Sequence, residues 1–179
     1  MRGPGKAGAA VLLAACALLA PSSTPHRDRP FVDAETTHQL VAAARTLLQL
    51  RSSALVERGH HERRPPAEIL GVVISPRVAQ AQERAVQELE TRNRAPVAGG
   101  PPYLDVRTTL GDGRAVRRGD RITLEATERT AARYRTGELT QSVRRRFDFA
   151  AVGTRLVLIG EGLLDPGARP LNDPVGQDR

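Results

Sequence analysis

The sequence predicts an α+β domain in which two N-terminal helices pack on a curved antiparallel sheet of about four strands. Two observations carry this. Apolar residues recur at three- and four-residue steps in the first half of the chain, and after Pro101-Pro102 the pattern changes to alternation. The segment 154–159 is a nearly continuous apolar run, as expected of a central strand covered on both faces. A run of helices followed by a run of strands is the signature of a layered α+β sandwich. With 179 residues, 40% hydrophobic and 26% charged, the chain has the composition of one compact domain.

Taken in order, residues 25–30 form a short Pro-flanked linker, and Asp33 is placed to cap a first helix with Glu35 in its first turn. Leu40, Val41, Ala44, Leu47, Leu48 and Leu55 give that helix one apolar face over about 34–57, and Gly59 ends it. Ile69, Leu70, Val72, Val73 and Ile74 form an apolar plug that packs as a short turn or strand. Ser75-Pro76 then starts a second helix, a hydroxyl cap followed by Pro at the first helical position. Its face is Val78, Ala81, Ala85, Val86 and Leu89, and it ends before Pro96 and Gly99-Gly100.

In the second half Leu104, Val106 and Leu110 alternate with polar residues, and Gly111-Asp112-Gly113 is a turn or bulge. Gly119-Asp120 makes the next turn, after which Ile122, Leu124 and Ala126 share a face. Val143, Phe147 and Phe149 share another, with Arg144, Arg146 and Asp148 opposite. Leu47, Leu48, Leu89, Phe147, Leu156 and Leu158 are expected in one core. The segment 165–179, with Pro166, Gly167, Pro170, Pro174 and Gly176, is expected to be a flexible tail. The organisation is therefore an export signal over 1–22, a linker over 23–32, the α+β domain over 33–164 and the tail.

The export signal rests on Arg2 and Lys6 ahead of 14 small and aliphatic residues at 7–20, too short for a bilayer-spanning helix. Two processing routes compete. Leu13-Ala14-Ala15-Cys16 resembles a bacterial lipobox, which would make Cys16 the lipidated N-terminus. Cleavage before Ser23, after small residues at Ala20 and Ser22, would instead give a secreted protein, and the apolar continuation through Leu18 and Leu19 favours it. The expected location is extracellular or cell-surface, with any membrane association made only through a signal or lipid anchor.

The charge balance is 27 Lys+Arg against 20 Asp+Glu, a net +7. Lys6 is the only lysine, so the excess reflects an arginine bias as much as a binding surface, and loss of the signal lowers it to +5. With no Trp, 2 Tyr and 3 Phe, the chain lacks a stacking platform for single-stranded nucleic acid, and none is expected as partner. A single Cys excludes a disulfide framework and a Cys-rich zinc ribbon.

The order of a long helix containing Leu47-Leu48-Gln49-Leu50-Arg51-Ser52-Ser53-Ala54-Leu55, a short insert, a helix introduced by Ser75-Pro76-Arg77-Val78 and a strand meander over 103–159 is similar to the cystatin-like, NTF2-like cone fold. It resembles the region upstream of the amidase domain in secreted actinobacterial proteins, over roughly 33–164. The resemblance implies a cone-shaped sheet and carries over no catalytic residue.

The residues themselves agree. With Cys16 in the signal, no thiol nucleophile is left. His60-His61-Glu62 lacks further ligands to make a metal site, and His38 reads as a surface residue. Gly111-Asp112-Gly113 lacks the Lys and Ser/Thr of a phosphate loop. In Arg144-Arg145-Arg146 the middle residue points to the face of Val143 and Phe147. Either Arg145 pairs with a carboxylate or lies at the strand edge while its neighbours are solvated, or Arg145 lines the mouth of the cone with Tyr134 or Glu125 as a ligand pocket. The expected function is an exported, non-catalytic accessory or interaction module at the cell envelope, meeting cell-wall components or an envelope protein and needing no cofactor or metal. The alternative is a small-ligand binder or enzyme using the cone pocket.

Overall fold

The computed structural model describes residues 31–56, 63–91 and 101–174. The export signal, Cys16, His26 and His60-His61-Glu62 lie outside the described residues. The elements run α1 (Ala34–Ala54), β1 (Glu68–Ile69), β2 (Val72–Ile74), α2 (Pro76–Thr91), β3 (Tyr103–Arg118), β4 (Arg121–Tyr134), β5 (Gly137–Val152) and β6 (Arg155–Leu163). The class is α+β as predicted, with the six strands in one curled sheet of half-barrel form. No helix among the described residues is long and apolar enough to cross a membrane.

Both helix starts follow from their capping residues. Asp33 accepts the Thr36 backbone N–H at 2.8 Å on one carboxylate oxygen and the Thr36 hydroxyl at 2.8 Å on the other. Those two donors hold the Asp33 pKa below its ordinary 3.8. A depressed carboxylate pKa contributes stability above the unfolded value, and that contribution fades as pH falls through the folded value. Asp33→Ala should therefore lower the thermal midpoint at neutral pH, with the difference from wild type shrinking below about pH 3.8. Asp33→Asn, which caps without titrating, should remove that pH dependence; an NMR titration of the Asp33 carboxyl gives the midpoint directly. In α2, Ser75 Oγ accepts from Val78 N at 3.4 Å and Pro76 occupies the first helical position.

α1 ends at Ala54, earlier than its periodicity predicts, because Leu55 N and Val56 N donate to the carbonyls of Ser52 and Ser53 at 3.1 and 3.0 Å. These short-range bonds tighten the last turn.

The sheet departs from the predicted one in two ways. It has six strands rather than about four, in the order β1-β2-β6-β5-β4-β3, and it is mixed rather than antiparallel. The apolar plug between the helices is the source of both differences. It forms a tight β1–β2 hairpin through Leu70 and Gly71, with φ of 50° and 83°, and β2 then pairs parallel to β6 with Val72 opposite Leu156 and Ile74 opposite Leu158. Ser75 N continues the contact to Leu158 O at 3.1 Å, so the start of α2 and the end of β2 are fixed on β6 together. This leaves β6 in the interior of the sheet, as its apolar run predicted, but not covered on both faces, since Leu158 is its one fully buried residue.

Gly111-Asp112-Gly113 is a bulge within β3 and not a turn, for the register with β4 shifts between Gly111 and Arg114. Its position lets the strand approach α1, since a Cβ on Gly113 would fall 2.7 Å from Val41 Cγ2. A helical valine has little freedom to move aside.

Two apolar clusters form the core. The first gathers Leu40, Leu47 and Leu48 of α1 with Val72, Ile122, Leu124, Phe147, Phe149 and Leu158. The second holds Leu55, Val86, Leu89, Tyr103, Val106 and Ala132. The six residues expected in one core are thus divided, with Leu89 in the second cluster and Leu156 only partly buried against the first.

A polar layer separates the clusters. Along α1 it falls at Arg51 and Ser52, between Leu48 and Leu55; along α2 at Gln82, between Val78 and Val86. Along β4 it falls at Glu128 and Thr130, between Leu124 and Ala132.

The segment expected to be a flexible tail is, over 165–174, part of the fold. Arg144 N donates to the Asp165 carboxylate at 2.6 Å, and Gln141 donates to Arg169 O and accepts from Leu171 N, both at 3.0 Å. Leu171 packs on the second cluster, and Asn172 and Asp173 are buried. The proline and glycine content shapes the turns of this segment, while its buried polar side chains hold it down.

Candidate functional site

The polar layer is the chemically distinctive part of the molecule. Arg51 and Arg145 are each only 1% exposed, and a buried charge persists only when paired and hydrogen-bonded. Arg51 bonds Glu161, donates from Nε to Gln82 Oε1 at 2.6 Å, and donates from Nη1 to Asp173 Oδ1 at 3.1 Å. Arg145 bonds Glu128 through Nε and donates from Nη2 to the same Asp173 Oδ1 at 2.8 Å. One aspartate oxygen from the C-terminal segment therefore bridges the two guanidinium groups.

Neutral groups fill the remaining positions. Gln82 donates to Leu47 O at 2.8 Å, which fixes its amide so that the oxygen faces Arg51. Asn172 donates to Glu128 Oε1 at 2.6 Å and to Ser52 Oγ at 3.2 Å. Thr108 and Thr130 connect their hydroxyls at 2.9 Å, and Thr130 donates to Glu128 Oε1 at 3.0 Å. Glu161 Oε2 and Asn172 Oδ1 are buried acceptors with no donor among the described residues.

Burial opposes the charge on Arg145, yet the surrounding carboxylates of Glu128, Asp173 and Glu161 outweigh it and raise the guanidinium pKa. The group is a permanent cation.

The three residues nominated as a ligand pocket do not converge. Arg145 faces inward opposite Ala126, so the preceding Glu125 lies on the other face of β4, half exposed and paired with Arg144 at 3.7 Å. Tyr134 stands at the far end of β4 opposite Gly137 and packs on the second cluster. The competing reading, with Arg144 and Arg146 toward solvent and Arg145 paired with a carboxylate, matches the geometry. His38 is exposed on α1, as expected.

The reading of Arg145 alone missed Arg51, Gln82, Glu128 and Asp173. The signal was present for the first three, because each occupies a position in phase with the apolar stripe of its own element.

On the outer face of the sheet, Arg114, Arg118, Arg121 and Arg146 surround a concavity of about 500 Å³, with Glu125 and Asp148 also lining it. Arg146 is paired with Asp148 at 3.3 Å, and the Arg114 guanidinium lies over the Phe31 ring at 5.1 Å. Arg118 and Arg121 have no ion-pair partner among the described residues.

Fold and site together define an α+β protein whose curled sheet encloses a buried arginine and carboxylate layer, bridged by the chain's own C-terminal segment. Comparison with known proteins gives no matching family model and no matching curated protein.

Proposed function

We propose that this chain is an exported, non-catalytic interaction module of the cell envelope, built on an NTF2-like cone. The curled sheet and the two helices support the cone reading. The observation that carries the functional reading is the commitment of Arg145 and Arg51: the cations that would receive a substrate inside the cone are already paired with Glu128, Glu161 and Asp173. Catalysis by general acid and base needs groups free to exchange protons with a substrate, whereas these are engaged with one another. The outer arginines offer a contact for anionic wall polymers, through charge on Arg118 and Arg121.

Two measurements on the full-length protein test this. Intact mass of exported material should show loss of the residues before Ser23; a lipidated Cys16 at the N-terminus would replace secretion by anchoring, and retained Met1 would exclude export. The purified protein should show no turnover of amide or ester substrates, and its retention on cell-wall material should fall as salt rises and on Arg118→Glu with Arg121→Glu. Turnover that disappears on His38→Ala would overturn the non-catalytic reading.

A further inference from the structure

We infer that the polar layer is a peptide-binding site, occupied in cis by residues 169–173, and that it accepts in trans an acidic segment carrying the same Leu-Asn-Asp chemistry. The inference goes beyond the envelope reading and does not depend on where the protein resides.

The contacts of this segment are of the kind that recognise a peptide. The Gln141 amide reads the backbone on both sides of Pro170, donating to Arg169 O and accepting from Leu171 N. Leu171 is the apolar anchor, in the second cluster. The Asn172 amide is recognised by Ser52 and Glu128, and the Asp173 carboxylate by Arg51 and Arg145. Backbone, apolar side chain, amide and carboxylate are thus each met by a separate group.

The site also holds its charges without the segment. Arg51 keeps Glu161 and Gln82, and Arg145 keeps Glu128, so two cations face two anions when Asp173 is withdrawn. With the segment in place, two buried acceptors, Glu161 Oε2 and Asn172 Oδ1, have no donor among the described residues. The guanidinium groups therefore stay paired whether or not the segment is docked, which favours an occupant that exchanges over one that the fold requires. The connection back to β6 runs through exposed Pro166 and Gly167, a place where the chain can be opened without cutting a buried contact.

The test uses the full chain with a protease recognition sequence inserted between Gly167 and Ala168, cut after folding. The probe is a labelled synthetic peptide of residues 168–174. The cut domain should keep its circular dichroism spectrum, and its C-terminal fragment should be displaced by the labelled peptide, while the uncut protein takes up none. A probe carrying Asp173→Asn should compete about tenfold or more weakly, as loss of a charge-assisted bond to two guanidinium groups implies. Unfolding on cleavage, a fragment that stays bound and never exchanges, or a freed domain that takes up no labelled peptide would each overturn the inference. None of these outcomes bears on export or turnover, so the two readings fail separately.

Discussion

Replacing Arg145 with Met should destabilise the protein by about 3 to 5 kcal/mol, the effect expected when one partner of a buried ion pair is removed. The cause is less the lost attraction than what remains. Glu128 is 1% exposed and would be left charged in the interior, and the Asp173 carboxylate would lose its bond from Arg145 Nη2. Such a loss is a large share of a domain's roughly 5 to 15 kcal/mol. Adding Glu128→Gln to Arg145→Met removes the stranded charge, so the double variant should be more stable than Arg145→Met alone. Arg145→Lys should recover only part of the loss, because a single ammonium does not reproduce the guanidinium fork that meets Glu128 and Asp173 from different nitrogens. Urea denaturation of the three variants measures these differences; a double variant less stable than the single would refute the stranded-charge account.

Phe147→Ala should cost about 3 to 5 kcal/mol and Leu48→Ala about 2 to 5 kcal/mol, since both side chains are fully buried in the first cluster. Leu156→Ala should cost less than Leu48→Ala, because Leu156 is only partly buried at the margin of that cluster. The ordering is the informative part. Equal losses for Leu156 and Leu48 would mean that the β2–β6 junction is as tightly enclosed as the centre of α1, contrary to the burial of the two residues. Denaturant midpoints with unchanged slopes would give the comparison.

The sequence by itself determined the elements that depend on neighbours in the chain. Ser75-Pro76 started α2, Asp33 capped α1, Gly119-Asp120 turned β3 into β4, and alternation put Ile122, Leu124, Phe147 and Phe149 on the inner face. These follow from local hydrogen bonding and from the period of each element, which a reader of the sequence can count. The same counting marks Arg51, Gln82 and Glu128 as polar residues in apolar phase. Taken singly, each is as consistent with a broken stripe as with a buried site, so only Arg145 attracted a reading.

Only the tertiary structure decided which of these polar residues meet. Arg51 and Glu161 are separated by 110 positions in the chain, and Arg51 and Asp173 by 122. The parallel pairing of β2 with β6, which sets Val72 opposite Leu156, is also long-range in sequence, and it changed the sheet from antiparallel to mixed. For the segment 165–174, proline, glycine and polar residues predict exposure when burial is judged from hydropathy. Its actual burial depends on two cations supplied by α1 and β5, which satisfy Asp173 inside the molecule. A polar side chain goes inside when its partner is already there, and the position of that partner is a property of the fold and not of the local sequence.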